Sequence, residues 1–390
     1  MAPIEPVPSP YTPGSTAVFT PGRERERAAF DRILVDVAGS GRFHGRVQVL
    51  QGARGVGKTS LLRAAERTAR RLGLATVFVT ATQTEGLSLV AQELRGVMTH
   101  LAPRSVTDRF AASVSKIGVK LGPAEVAVDL QRAQPPDSAV AHLKSVLTAV
   151  ARTTEKANRG LVLFVDEMQD VPRPDIRTLS TAWQELDAEA KRDGAPPIPA
   201  AMMTAGLSNT QEAITAGASF GERFRFTRLG NLDVPAAAQA VVEPVLESGV
   251  GWEPDAVDAL VERSAGYPYF IQLYAHETWE VRERRPGDRV GVADVQAGID
   301  AAAEQIETLY RGRWNRATPA ERRILVAIAE GGREELTRGE IADRLGVKGG
   351  DLGMARASLL GKGLLAVPRH GVLAFNAPGF GDFILDEIDG

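Results

Sequence analysis

The chain has 390 residues, enough for two or three domains. Its 46 Lys and Arg against 49 Asp and Glu exclude a wholly basic nucleic-acid binder, so any nucleic-acid surface must be a local patch. The absence of cysteine excludes a disulfide scaffold, a thiolate metal site and a cysteine nucleophile, and it fits a reducing compartment.

Residues 1–17 are rich in proline and read as a flexible, extended arm. They carry neither a basic start nor the apolar core of a leader, and no apolar run reaches the roughly 18 residues of a membrane span. The expected location is cytoplasmic, with no membrane contact. A charged stretch, FTPGRERERAAF, follows at 19–30. Taken alone it is a solvated helix start.

From Arg46 short apolar runs alternate with longer amphipathic ones. RVQVL (46–50), ATVFVTAT (75–82), LVLFVDE (161–167), IPAAMMTAGL (198–207) and RFTRLGNL (225–232) are strand candidates, and helical patterns lie between them. Alternating strand and helix predicts an α/β domain with a parallel sheet covered on both faces, here over 18–232. Period-two alternation around Gly122-Pro123 predicts a β-hairpin insert at about 114–131. Its lysines and acids offset each other, so a surface hairpin without a role is the simplest reading.

Residues 233–315 are helical in pattern, with Pro235 and Pro254 placed to open helices behind Asp233 and Glu253. Residues 316–390 hold two capping boxes, Thr318–Glu321 and Thr337–Glu340, then a third helix at about 349–361. Two short apolar strands flank Pro368–Gly371. Three helices followed by a hairpin predict a winged-helix domain.

The strongest chemical signal is GARGVGKT, with Gly52, Ala53, Arg54, Gly55, Val56, Gly57, Lys58 and Thr59, followed by Ser60. It fits G-x-x-x-x-G-K-[ST] between a strand and a helix. Glycines let backbone N–H groups turn toward phosphate oxygens, and the helix adds its positive end. Lys58 would reach the terminal phosphates and Thr59 would hold Mg²⁺. Asp166 and Glu167 end the most apolar strand. Asp166 suits Mg²⁺, usually through water, and Glu167 suits general-base activation of a water. The cofactors expected are ATP and Mg²⁺.

The order of phosphate loop, Asp-Glu strand, polar strand tip, arginine and helical lid resembles an AAA+ P-loop ATPase. The resemblance implies a γ-phosphate-sensing residue in TAGLSNT, where Asn209 matches first and Ser208 second. An N-cap role fits these residues equally well. It also implies an arginine finger aimed at a neighbouring subunit, and hence a homo-oligomer. Arg223 in SFGERFRF is the best match, with Arg225 and Arg228 as competitors and a strand-end ion pair as the alternative. The lid holds Gly266-Tyr267-Pro268, where many relatives carry an arginine, and this resembles STAND-type and related prokaryotic ATPases. Pro268 would then pack against the base. Tyr267, Tyr269, Phe270 and Tyr274 read as lid core. Phe19, Gly22, Arg23 and Glu26 resemble the entry motif of origin-initiator and STAND ATPases, which implies a place beside the adenine for Gly22 and Arg23.

In 344–371 the basic residues Arg344, Lys348, Arg356, Lys362 and Arg369 face only Asp351. With His370 they form a modest patch, and Lys348, Arg356, Lys362, Arg369 and His370 are the candidate DNA contacts. Arg356 and the Arg369-His370 tip are expected on one face. The composite expectation is an ATP-hydrolysing AAA+ protein whose nucleotide state controls assembly and DNA binding through the winged helix. The alternative is a STAND-like signalling or defence switch acting on a protein partner. The lack of a trailing repeat array and of an arginine in GLSNT favours the first.

Overall fold

A computed structural model describes residues 5–83, 86–101, 136–156, 160–195, 197–217, 223–331 and 334–389. The hairpin expected at 114–131 lies outside the described residues.

Five parallel strands form the central sheet: β1 (Val47–Gly52), β2 (Ala75–Thr80), β3 (Leu161–Asp166), β4 (Ala200–Gly206) and β5 (Phe224–Leu229), in the order β2-β3-β4-β1-β5. The three central strands β3, β4 and β1 are buried along their whole length, which explains their unbroken apolar runs. Successive residues of β3 feed opposite cores. Val162 and Phe164 pack with helices α1 (Glu24–Ser40) and α2 (Lys58–Arg71). Leu161, Leu163 and Val165 pack with α3 (Leu87–Leu101), α4 (Pro136–Lys156) and α5 (Arg173–Ala190). The sheet places the ends of β1, β3 and β4 side by side, and both phosphate-binding motifs leave from that edge.

A short helix α6 (Thr210–Gly217) follows β4. The lid comprises α7 (Val234–Val242), α8 (Pro254–Ser264), α9 (Pro268–Glu280) and α10 (Val292–Asn315), with a small parallel pair of β6 (Gly251–Trp252) and β7 (Arg289–Val290). Asp233 caps α7 by accepting from the Ala236 N–H at 2.9 Å, but the Glu253 side chain makes no cap bond at α8.

The C-terminal unit runs α11 (Pro319–Ala329), β8 (Glu335–Thr337), α12 (Arg338–Leu345), α13 (Gly353–Gly361), β9 (Leu365–Ala366), β10 (Val372–Phe375) and α14 (Phe380–Asp389). Its antiparallel sheet has the order β8-β10-β9. This is the element order of a winged helix, with one helix added at the end. Both expected capping boxes form, with the Thr318 and Glu321 pair closing α11 and the Thr337 and Glu340 pair closing α12.

The arm departs from its expectation. From residue 5 onward it is extended but packed along the lid. Tyr11 is 2% exposed, donates to the Val241 carbonyl at 2.6 Å and accepts from Trp252 Nε1 at 3.0 Å. The Trp279 indole donates to the Val7 carbonyl, and the Val7 N–H donates to Arg284 O. Proline fixes the extended backbone, and one buried aromatic with both hydrogen-bonding functions satisfied anchors it. The proline content that suggested a flexible arm gave no sign of this anchor.

Candidate nucleotide site

The loop after β1 turns where its glycines allow. Gly55 and Gly57 have φ of 83° and 90°, the left-handed region that glycine enters without penalty. A Cβ on Gly55 would lie 2.4 Å from the Tyr267 hydroxyl oxygen, so glycine also permits the close approach of the lid. Lys58 opens α2 and is buried. Its ammonium donates to the Gly52 carbonyl at 3.1 Å and the Ala53 carbonyl at 2.7 Å. Burial pulls its pKa down to about 8, against the opposing pull of Glu167 and Asp166.

Thr59 Oγ1 donates to Asp166 Oδ2 at 2.7 Å, which joins the first turn of α2 to the end of β3. Burial is the largest influence on Asp166 and raises its pKa, while the Thr59 hydroxyl and the Glu167 N–H bond its charged form. Glu167 has φ 53° and ψ 43°, unusual for a non-glycine residue and costly by about 1–3 kcal/mol. Its carboxylate accepts from Gln169 Nε2 at 2.6 Å, and Gln169 Oε1 accepts from the Leu207 N–H at 2.8 Å. Gln169 therefore ties Glu167 to the end of β4. The sequence reading missed it, although it stands two residues beyond the acidic pair in DEMQD.

These residues border an open cleft of about 610 Å³. One wall is the phosphate loop with Lys58, Thr59, Ser60 and Glu167. The other is the entry segment from Thr12 to Arg23, with Leu232, Ala240, Pro268, Tyr269 and Gln272 of the lid side. Gly22 has φ 69°, and a Cβ there would lie 2.5 Å from that of Ala236. Arg23 donates to the carbonyls of Val56 and Gly230, so it clamps the entry segment to both loops. Glu24, rather than Glu26, accepts from the Gly22 N–H. The Ser60 hydroxyl accepts from the Ala17 N–H at 3.1 Å. Tyr267, Phe270 and Tyr274 are lid core as expected, but Tyr269 lines the cleft. Tyr267 also donates to the Arg54 carbonyl at 2.6 Å.

Asn209 stands at the base of α6. Its Oδ1 is buried without a partner, so it does not cap that helix. Its amide nitrogen faces Gly361, 3.7 Å from where a Cβ would stand. Ser208 and Arg228 line a cavity of about 500 Å³ between the base and the winged-helix unit. Arg223 lies 3.8 Å from Asp187 of α5 and is 52% exposed; Arg225 faces the groove beside α1.

Three of the five candidate contacts in the C-terminal unit already have acidic partners. Arg356 pairs with Glu212 of α6 at 3.1 Å. Lys362 pairs with Glu321 at 2.6 Å and donates to Arg316 O. Arg369 pairs with Glu335 at 2.7 Å. Arg356 and His370 do share one cleft, but its opposite wall is the base, with Gln211, Glu212 and Arg228. The sequence could not show this, because the acids that pair with these residues come from other elements. Lys348 and His370 are exposed.

No curated protein is similar in sequence. Among solved structures, a Walker-type ATPase of Pyrococcus abyssi superposes with a TM-score of 0.54 at 15% identity, covering 94% of this chain and 96% of its own. The Aeropyrum pernix ORC2 protein, solved as ADPNP–ADP complexes, gives 0.54 at 17% identity, with 97% of each chain covered. Residues 307–384 match a domain of unknown function (DUF8462). Residues 20–192, which hold Gly22, Arg23, the phosphate loop and the Asp166–Glu167 strand end, match the AAA ATPase domain. The five-stranded parallel sheet with its phosphate loop is the AAA+ P-loop fold, and residues 20–192 are similar to the AAA ATPase domain.

Proposed function

We propose that the protein binds ATP with Mg²⁺ in the 610 Å³ cleft and hydrolyses it, and that the nucleotide state repositions the winged-helix unit. The observation that carries the reading is the 2.7 Å contact of Thr59 with Asp166, which sets a hydroxyl and a carboxylate at one point beside the phosphate loop. That donor pair fits Mg²⁺, which takes few protein ligands and keeps waters and phosphate oxygens for the rest. Thr59 and Asp166 would hold the ion, whose charge would offset that of the phosphates. Lys58 would exchange its two loop carbonyls for phosphate oxygens. The loop amides would orient the phosphates, and Gly22, Arg23 and Pro268 would border the base. Glu167 would accept the proton of the attacking water. Asn209 would follow the terminal phosphate through its side-chain amide nitrogen, the donor that a phosphate oxygen requires.

The output reading rests on the contact of α13 with the base. Release of Arg356 from Glu212 would free a helix of the kind that reads DNA. DNA is therefore the proposed partner, reached through Lys348, Arg356, Lys362, Arg369 and His370. A protein partner is the second reading. It is favoured by the existing pairing of Arg356, Lys362 and Arg369 and by Met354, which stands 88% exposed on α13. We further propose a homo-oligomer in which Arg223 leaves its long, exposed contact with Asp187 for a neighbour's phosphates. Among the described residues no helix is long and apolar enough to cross a membrane.

The test is a salt titration of duplex DNA binding with no nucleotide, with ADP and with a slowly hydrolysed ATP analogue. Nucleotide-dependent binding whose log affinity falls linearly with log salt supports the DNA reading. No binding at low salt in any state moves the protein-partner reading to first place. Mixing Arg223→Ala with Glu167→Gln protein tests the finger. Recovered turnover supports action between subunits, and none at any ratio removes it.

A further inference from the structure

Gln51 is the last side chain of β1 before the phosphate loop. It is 2% exposed, yet its Oε1 is buried with no hydrogen-bond partner. Gln48 on the same strand is also buried, but it donates to the Arg46 carbonyl at 2.9 Å. A buried amide oxygen left unpaired is unfavourable and uncommon, because it gives up water without regaining a bond. A second such oxygen belongs to the C-terminal unit. Asn376 follows β10 and is buried. Its Nδ2 donates to the Gly363 carbonyl, which makes Oδ1 the free end, and Oδ1 also has no partner.

Both residues line one cavity of about 480 Å³ between the base and the winged-helix unit. Small-molecule sites occupy roughly 300–1,000 Å³. Val56 of the phosphate loop lines it on one side, and Val367, Phe375 and Pro378 line it on the other. Val56 also borders the nucleotide cleft, whereas Lys58, Thr59 and Glu167 line that cleft and not this cavity. The loop is therefore the partition between two separate spaces. Arg228 of β5 stands in register with Gln51 of β1, so the two side chains leave the same face of the sheet, and Arg228 lines the cavity as well. Among the described residues it has no ion-pair partner. Two unpaired acceptors and one free donor thus share a space with apolar walls.

We propose that this cavity binds a small molecule with an apolar body, N–H donors and a carbonyl, of which an aromatic primary amide is the simplest case. Its N–H groups meet Gln51 Oε1 and Asn376 Oδ1, its carbonyl accepts from Arg228, and its ring lies among Val56, Val367 and Phe375. The site stands apart from the ATP reading and does not depend on it. Its occupant touches the phosphate loop on one side and the hairpin of the C-terminal unit on the other. It would therefore bias the packing of that unit and the set of the loop together, because the Gly52 and Ala53 carbonyls of the same loop hold Lys58.

The probe is 3-aminobenzamide, titrated into the full-length protein and followed by ligand-observed NMR. Wild-type protein should bind it saturably, with Kd below about 1 mM. Gln51→Leu removes one acceptor, and Val367→Trp fills the cavity while keeping both. Each should weaken binding by about tenfold or more. Excess Mg²⁺–ATPγS should not compete with the probe. The probe-free melting temperature of Gln51→Leu should equal or exceed that of wild type, since an apolar group replaces an unpaired one. A fall of more than about 4 °C would mean that an ordered water already satisfies the amide and that the cavity holds water only. That fall, no saturable binding to wild type, equal binding in wild type and both variants, or competition by Mg²⁺–ATPγS, which would put the probe in the nucleotide cleft, would each overturn the proposal.

Discussion

Arg356 of α13 and Glu212 of α6 are joined at 3.1 Å, so α13 is held against the end of the sheet that bears Asn209. Glu212 is 57% exposed, and an exposed pair contributes only about 0.2–1 kcal/mol. The pair adds little to the packing of the C-terminal unit on the lid, where Tyr310 of α10 donates to Pro378 O and meets Phe380, so it can open without unfolding that unit. Arg356→Glu should loosen the unit, and Glu212→Arg combined with it should restore the docking. Protease sensitivity of the linker at 315–318 would report this. Equal cleavage of wild type and both variants would show that the pair has no part in docking.

Lys58→Ala should abolish ATP binding by removing the charge that meets the terminal phosphates. Glu167→Gln should keep binding and lose hydrolysis by roughly 10²–10⁴-fold, because an amide cannot take the proton of the water. Isothermal titration and a phosphate-release assay separate the two effects. Normal affinity in the first variant, or normal turnover in the second, contradicts the assignment.

Gln169 is a positioning residue. It holds the Glu167 carboxylate at 2.6 Å and the Leu207 N–H at 2.8 Å. Gln169→Ala should lower kcat by about 10- to 100-fold with KM little changed, since nucleotide contacts remain. Gln169→Glu keeps the acceptor for Leu207 but sets a second carboxylate beside Glu167. It should lower kcat as well, because the added charge repels the Glu167 carboxylate from its place. Turnover equal to wild type in both variants would refute the contact's role.

Tyr11 ties the arm to the lid through Val241 and Trp252. Tyr11→Phe removes both hydrogen bonds and leaves a buried carbonyl and indole N–H unpaired, at a cost of about 1–3 kcal/mol. Chemical denaturation of the two proteins would read this difference. A change below about 0.5 kcal/mol would mean that water replaces the phenol.

Burial raises the pKa values of Tyr11, Tyr267, Tyr274 and Tyr310. A tyrosine is neutral when protonated, so a raised folded value favours the protonated form in the fold. This stability is complete below the ordinary tyrosine pKa of about 10 and is lost as pH rises through and above it. Melting temperature should therefore fall steeply above about pH 10, and less steeply in Tyr11→Phe. A flat profile to pH 11 would contradict the burial of these phenols.

The sequence alone determined the sheet, the phosphate loop, the acidic strand end and the order of the C-terminal helices and hairpin. Each rests on a local rule: apolar runs for buried strands, glycines at left-handed turns, and capping boxes at Thr318 and Thr337. Tertiary structure alone decided what those pieces face. It anchored the arm through one tyrosine, turned Arg356 toward Glu212 and gave Gln169 a place between two strands. In each case the partners lie tens to hundreds of residues apart or on separate elements. No local pattern encodes such a pairing, because the contact forms only when the lid and the C-terminal unit pack against the base.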